Sequence, residues 1–149
     1  YQRTAPVNVE AIARDLGIKV YRQDMGNETL GRLVRDAYKG GQSGFAIYIS
    51  SVGHQNRQRF TLAHEIAHFV LHKDLMDTNI VDDTMYRSAL SSVYETQANK
   101  LAADILMPIR LLKELRKAIP DTSALAKKFQ VSASAMEIRL KSLGPSVTP

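Results

Sequence analysis

Hydrophobic positions in the first fifty residues predict one short helix followed by strands. Asn8 stands before apolar residues at helical spacing and Gly17 follows them, so the pattern predicts a helix capped at its start and stopped at its end. Runs rich in apolar residues then predict three strands, at 18–22, 30–35 and 44–50. The glycine pair Gly40-Gly41 marks a turn between the last two strands.

The hydrophobic spacing changes to three and four residues after about position 56, which predicts helices for the rest of the chain. The first of them carries Phe60, Ala63, Ala67 and Leu71 on one face. The stretch 73–91 is rich in aspartate and weakly periodic, and we interpret it as a long loop of functional importance. Further helices are predicted at about 92–106, 108–118, 122–129 and 132–144. Because strands come first and helices afterwards, we expect an α+β fold with about three strands.

Composition places the chain among globular proteins of one-domain size. It has 149 residues, of which 44% are apolar and 23% are charged, enough to bury a core. No apolar run approaches the roughly 20 residues that a membrane-spanning helix needs, so we expect no membrane protein in this segment. The absence of cysteine excludes a disulfide scaffold, a thiol nucleophile and a sulfur-ligated zinc site. A metal would therefore depend on histidine and carboxylate side chains.

The net charge of +5 comes entirely from the last forty residues. Residues 1–109 carry 12 basic and 12 acidic side chains, whereas residues 110–149 carry 8 basic and 3 acidic ones. We divide the chain accordingly into a first domain at 1–109 and a basic helical subdomain at 110–149 packed on it. A basic end of this kind indicates an acidic partner or nucleic acid, and a solvated helical face explains it equally well.

The long apolar helix contains a His-Glu-x-x-His motif. His64 and His68 are one helical turn apart, so both imidazole rings point the same way and can reach one ion. Glu65 lies one step round the helix, where its carboxylate can take a proton from a water molecule on the metal. The alternative is a chance pair of histidines on a surface helix, but the apolar helix around the motif favours the metal site.

Two histidines leave a catalytic metal one protein ligand short, and Glu95 is our candidate for that ligand. It shares a helix face with Ala98 and Ala102, and a carboxylate on such a buried face is costly unless something pairs it. Asp104 is expected to face away, and His72 would place three ligands almost in line along one helix. The alternative role of Glu95 is that of a capping acid near a helix N-terminus.

Other polar residues near the motif have weaker assignments. His72 either caps its helix or contacts substrate, and Asn99 either hydrogen-bonds to the metal ligands or serves in packing. His54 is expected in the turn before the motif helix. Three tyrosines could donate a hydrogen bond to an oxyanion, and the sequence selects none of them: Tyr48, Tyr86 and Tyr94.

Two segments together resemble the ImmA/IrrE family of zinc metallopeptidases: RFTLAHEIAH at 59–68 and ETQANKLAADILMP at 95–108. The preceding helix and strands and the segment LAKKFQVS at 125–132 match the family layout too, so the resemblance covers nearly the whole chain. It implies one zinc ion, bound by His64, His68 and Glu95, with Glu65 as the general base. The sequence departs from the family at Asp104, where glutamate is frequent.

The resemblance also implies a function and a cellular setting. The family is one of cytoplasmic bacterial or phage proteins that cleave a helix-turn-helix repressor and so switch genes on. We therefore expect a zinc-dependent endopeptidase, with manganese as the alternative metal in the cell and a repressor as its partner. A substrate strand is expected to pair with the sheet edge at 44–50. The alternative is a catalytically silent or DNA-binding regulator that keeps its metal for structure.

The spacing of residues 125–143 is that of a helix-turn-helix, which makes DNA binding a hypothesis from a different class. Two features weigh against it. The turn holds Gln130 instead of the glycine that tolerates a positive φ. The exposed start of the would-be reading helix offers Ala133, Ser134 and Glu137, which read bases poorly. We expect this end of the chain to serve in packing or partner docking instead.

Overall fold

The protein is represented by a computed structural model that describes residues 1–26, 29–77 and 92–147. The fold is α+β, as the order of the predicted elements indicates, with three strands and six α-helices in the described part. In chain order these are α1 (Val9–Asp15), β1 (Ile18–Gln23), β2 (Gly31–Arg35), β3 (Phe45–Ser50), α2 (Gln55–Asp77), α3 (Ser92–Leu106), α4 (Ile109–Ala118), α5 (Thr122–Phe129) and α6 (Ala133–Leu143), closed by a 3-10 turn at Gly144–Val147.

The loop predicted at 73–91 was wrong for its first five residues, because α2 continues through Asp77. Three of the five residues in this extension are good helix formers: Lys73, Leu75 and Met76. Residues 78–91, and with them Tyr86, lie outside the described part of the chain. None of the described helices combines the length and the apolar character needed to cross a membrane.

The sheet is mixed, with the strand order β1-β3-β2. β1 runs parallel to β3, with Ile18 opposite Phe45, and β2 runs antiparallel to β3, with Gly31 opposite Ile49. The expectation that 44–50 forms an edge of the sheet was wrong, because β3 is paired on both sides. All six residues of β3 are buried, which is typical of a central strand covered on both faces.

Helix α2 packs against the sheet and also against α3. The ring of Phe69 on α2 meets the ring of Phe45 on β3 edge to face, with 5.2 Å between the ring centroids. Both helices bury small residues that let their backbones approach closely: Ala63, Ala67, Ala98 and Ala102 are all fully buried. The histidine helix is thereby held between the sheet on one side and α3 on another.

Helices α5 and α6 pack against each other and are joined by a short turn at 130–132. Both α5 and α6 are capped at their N-termini, since the side chains of Asp121 and Ser132 accept hydrogen bonds from Ala124 N and Ala135 N. Gln130 adopts the left-handed conformation, with φ 55° and ψ 49°. The turn therefore forms without glycine, and the argument against DNA binding that rested on this position loses its force.

Two arginines connect these C-terminal helices to the rest of the protein. The buried guanidinium of Arg139 donates to the Met107 carbonyl through Nε at 3.1 Å and Nη2 at 2.9 Å, and its Nη1 lies 2.7 Å from Asp104 Oδ1. Arg59, at the start of the motif segment, donates to the carbonyls of Val7 and Phe129 at 3.0 Å and 3.5 Å. Burial lowers the pKa of Arg59 below its usual value, although an arginine stays charged at neutral pH.

We expect Arg139→Ala to lower the free energy of unfolding by about 2–3 kcal/mol, because it removes an ion pair and leaves the Met107 carbonyl without its donor. Urea denaturation followed by circular dichroism measures the change. Lys141→Ala, an exposed residue of the same helix, is the control and should change stability by less than about 0.5 kcal/mol. An Arg139→Ala protein as stable as the control would show that this anchor contributes nothing.

Candidate metal centre

The two histidines of the motif lie side by side on α2. One helical turn separates them, and their Nε2 atoms are 3.1 Å apart. The ring of His68 is 1% exposed and that of His64 is 13% exposed, so both rings are held by their surroundings with little room to turn. The sequence prediction that both imidazoles address one point is consistent with this geometry.

Glu95 of α3 reaches the same point from the neighbouring helix. Its Oε2 lies 3.2 Å from His64 Nε2, and its Oε1 lies 3.0 Å from His68 Nε2. The expected stripe beside it is buried, since Ala98 and Ala102 have no exposed surface. Asp104, nine residues further along, turns away and pairs with Arg139. The structure thus brings together the three residues that sequence analysis selected as ligands.

The donor atoms of these three residues fit a small divalent cation. The two Nε2 atoms are 3.1 Å apart, and each faces a different oxygen of Glu95, at 3.2 Å for His64 and 3.0 Å for His68. One donor atom from each residue lies within 4.8 Å of the other two, and the ligands of a tetrahedral zinc ion lie about 3.3 Å apart for bonds of about 2.0–2.1 Å. Two nitrogen donors and one carboxylate oxygen leave a fourth position for water or substrate, as catalytic zinc sites do. The residues present can therefore hold one metal ion.

Glu65 lies next to His64 in sequence and is 1% exposed. Its carboxylate faces the start of β2, because a Cβ atom placed on Gly31 would lie 3.4 Å from Glu65 Oε2. The same Cβ would lie only 2.5 Å from Thr61 Cγ2, closer than two carbon atoms can pack. Glycine at this position lets β2 pass directly over α2. Sequence analysis missed Gly31, although a glycine that opens a strand is a signal of close backbone approach.

The other candidates have different surroundings. His72 is 3% exposed and contacts His68, Gln97 and Tyr94. Asn99 is exposed, and within the part of the chain that the structure describes its amide makes no hydrogen bond to the three ligand residues. His54 lies in the turn before α2, as expected, where its Nδ1 accepts a hydrogen bond from the Asn56 N–H at 2.9 Å. Tyr48 stacks on Tyr21 across the sheet.

Comparison with known families gives this site a context. Residues 13–141 match the IrrE N-terminal-like domain, the Peptidase_M78 family. The chain belongs to this family. The resemblance drawn from the two motifs is therefore confirmed, and the matched range includes His64, Glu65, His68 and Glu95.

Relatives of this family member include two proteins described as radiation response metalloprotease IrrE. The protein of Deinococcus radiodurans is 40% identical over 93 residues, which are 60% of this chain and 28% of that protein. The protein of Deinococcus deserti is 38% identical over 93 residues, which are 60% of this chain and 33% of that protein. The chain thus spans about a third of the length of these curated relatives.

A solved structure shares the family fold at low sequence identity. It is a transcriptional regulator of Mycobacterium tuberculosis, with a TM-score of 0.59 and 20% identity. The similarity covers 88% of this chain and 38% of that one. At this identity the likeness supports the fold alone.

We expect the purified protein to hold about one equivalent of zinc, and His64→Ala, His68→Ala and Glu95→Ala to lose it, because two remaining ligands hold a divalent ion weakly. Elemental analysis after gel filtration measures the content. His54→Ala is the matched histidine control and should keep the full equivalent. A His64→Ala protein that still holds one zinc would place the metal elsewhere.

Proposed function

We propose that this protein is a metal-dependent endopeptidase that uses one zinc ion, with manganese as the alternative in the cell. The observation that carries the proposal is the convergence of His64 Nε2, His68 Nε2 and the Glu95 carboxylate. Glu65, the residue after His64 in the motif, is buried. Membership of a peptidase family supports it. In this proposal the first three residues are the metal ligands and Glu65 is the general base.

The central step of the proposed mechanism is a proton transfer by Glu65. A divalent ion bound here supplies Lewis-acid polarisation of a water molecule and of the scissile carbonyl. Glu65 accepts a proton from the attacking water and passes it to the departing amine, so its carboxylate serves as base and then as acid. Burial of this side chain keeps bulk water away and strengthens the electrostatic interactions at the reacting atoms.

Because β3 is the central strand and β2 lies at an edge of the sheet, we propose that the substrate pairs with β2 instead of β3. At the two ends of β2 the Leu30 carbonyl accepts from Ser50 N and Asp36 N donates to the Gly44 carbonyl, each at 2.8 Å. Because main-chain groups of an antiparallel strand alternate in direction, those of Gly31 and Leu33 point away from β3. A substrate strand paired there would pass next to Glu65, which lies beneath Gly31.

The proposed substrate is one regulatory protein, and the family resemblance favours a helix-turn-helix repressor in the cytoplasm. The basic end of the chain provides a docking surface for it, with Lys117, Lys127 and Lys128 exposed. We keep the division into a metallopeptidase domain at 1–109 and a basic helical subdomain at 110–149 as part of this proposal.

A second candidate function is that of a DNA-binding regulator whose metal is structural. The observation in its favour is the pair of short helices, α5 and α6, joined by a turn in which Gln130 adopts the left-handed conformation. Ala133, Ser134 and Glu137 are exposed at the start of α6, where they offer few donors to bases and one charge that repels phosphate. A salt-dependent DNA shift assay distinguishes the two, since phosphate contacts weaken steeply with salt.

For the mechanism, we expect Glu65→Gln to keep the fold and one equivalent of metal but to lose turnover by about 10²–10⁴-fold or more, because an amide cannot accept the proton. Steady-state cleavage and elemental analysis on the same sample measure both. Activity equal to that of the wild type would contradict the base assignment, whereas loss of the metal would make Glu65 a ligand.

For the substrate, we expect slow or no cleavage of casein and cleavage of one repressor at a single place. Reversing Lys117, Lys127 and Lys128 to glutamate should slow repressor cleavage with the metal content unchanged, because it removes electrostatic attraction to the partner. Arg116 is left intact, since it donates to Thr122 Oγ1 at 3.3 Å.

The control for this experiment reverses two exposed lysines of the strand region, Lys19 and Lys39. Gel electrophoresis of timed digests measures the rates. If the triple reversal cuts as fast as the control, the basic end is a solvated surface. Rapid, indiscriminate digestion of casein by the wild type would contradict the regulatory role and leave the metal chemistry intact.

A further inference from the structure

His72 lies one helical turn beyond His68 and is enclosed by polar partners on both ring nitrogens. Its Nδ1 is 3.0 Å from His68 Nδ1, and its Nε2 is 3.1 Å from Gln97 Oε1 on α3. The side chain is 3% exposed, and the ring of Tyr94 lies 4.8 Å away, between centroids. This burial is at odds with a helix-capping or substrate-contacting role and calls for another explanation.

The position of the ring proton on His68 follows from the atoms that lie next to its two ring nitrogens. Its Nε2 points at the site, 3.1 Å from His64 Nε2 and 3.0 Å from Glu95 Oε1. A histidine that binds a metal through Nε2 offers the lone pair of that atom, so a neutral ring carries its proton on Nδ1. Among the described residues, His72 Nδ1 is the acceptor that this N–H meets, at 3.0 Å. The reverse direction would strip His68 of both ring protons and require an imidazolate.

The tautomer of His72 follows from its own two partners. Because its Nδ1 accepts, a neutral ring carries its proton on Nε2, and that N–H meets Gln97 Oε1, a carbonyl oxygen that can only accept. His68 Nδ1–H therefore donates to His72 Nδ1, and His72 Nε2–H donates to Gln97 Oε1. The tautomer of each histidine is set by the acceptor on the next residue in this series. The series ends on α3, the helix that also carries Glu95.

We infer that His72 and Gln97 are positioning residues that hold His68 in its metal-binding tautomer and so set the metal affinity of the site. The inference rests on the proposed metal site and goes beyond it by assigning roles to two residues that are not ligands. Without these two hydrogen bonds, His68 can carry its proton on Nε2, and a proton on that atom blocks metal binding. Partners of this kind are worth about 10- to 100-fold in metal affinity.

The test compares variants of the full chain that remove or keep the acceptor. His72→Leu removes it, whereas His72→Asn keeps a carbonyl oxygen near the former Nδ1. Gln97→Leu removes the last acceptor, and Leu71→Ala, an exposed neighbour on α2, is the control. Zinc affinity is measured by competition with a chromophoric chelator. We expect a loss of about 10- to 100-fold for His72→Leu, a smaller loss for Gln97→Leu, and affinity near the wild type for His72→Asn and Leu71→Ala.

A second readout does not depend on activity or on the stability of variants. Histidine ¹H–¹⁵N correlation spectra of the zinc-loaded wild type should show His68 protonated at Nδ1 and His72 protonated at Nε2. His72 protonated at Nδ1, or zinc affinity of His72→Leu equal to that of the wild type, would overturn the inference while leaving the metal site in place. A wild type that binds no zinc would contradict the proposed metal site itself, and the inference with it.

Discussion

The close approach of α2 and α3 is the constraint on which the rest of this structure depends. Glu95 on one helix lies within 3.2 Å of the Nε2 atoms of His64 and His68 on the other. Three lone-pair donors at this spacing repel one another unless a proton or a cation lies among them. Fully buried alanines on both helices permit the approach, because larger side chains would hold the backbones apart.

Local sequence periodicity was sufficient to predict most of this arrangement. The period of the α-helix aligned His64 with His68, and the apolar stripe of α3 indicated that Glu95 faces α2, because a helix repeats its faces at fixed intervals. The side chain of Glu95 is nevertheless 41% exposed, more than a buried face implies. The caps at Asn8, Asp121 and Ser132 were equally predictable, since each is a contact within one turn.

Contacts between distant parts of the chain were not predictable in the same way. The order β1-β3-β2 depends on which strands pair with one another. The only hint in the sequence was the apolar run at 45–49, and all residues of β3 are indeed buried. Gly31 lies over α2 because β2 crosses that helix, and Gln97 meets His72 because α3 runs along it. No local pattern indicated the contact of Gln97, whereas a glycine that opens a strand was a local signal of the close approach at Gly31. The excess of basic residues at 110–149 overstated the positive charge on the surface, because Arg139 is one of these residues yet is buried against Asp104.

The central claim is that three side chains from two helices hold one metal ion, and a crystal structure of the zinc-loaded protein with anomalous data at the zinc edge tests it most directly. We predict a single strong peak bonded to His64 Nε2, His68 Nε2 and a carboxylate oxygen of Glu95 at about 2.0–2.2 Å, with a fourth position open to solvent. A peak coordinated by His72 or Glu65 in place of any of these, or bound elsewhere on the chain, would contradict the account.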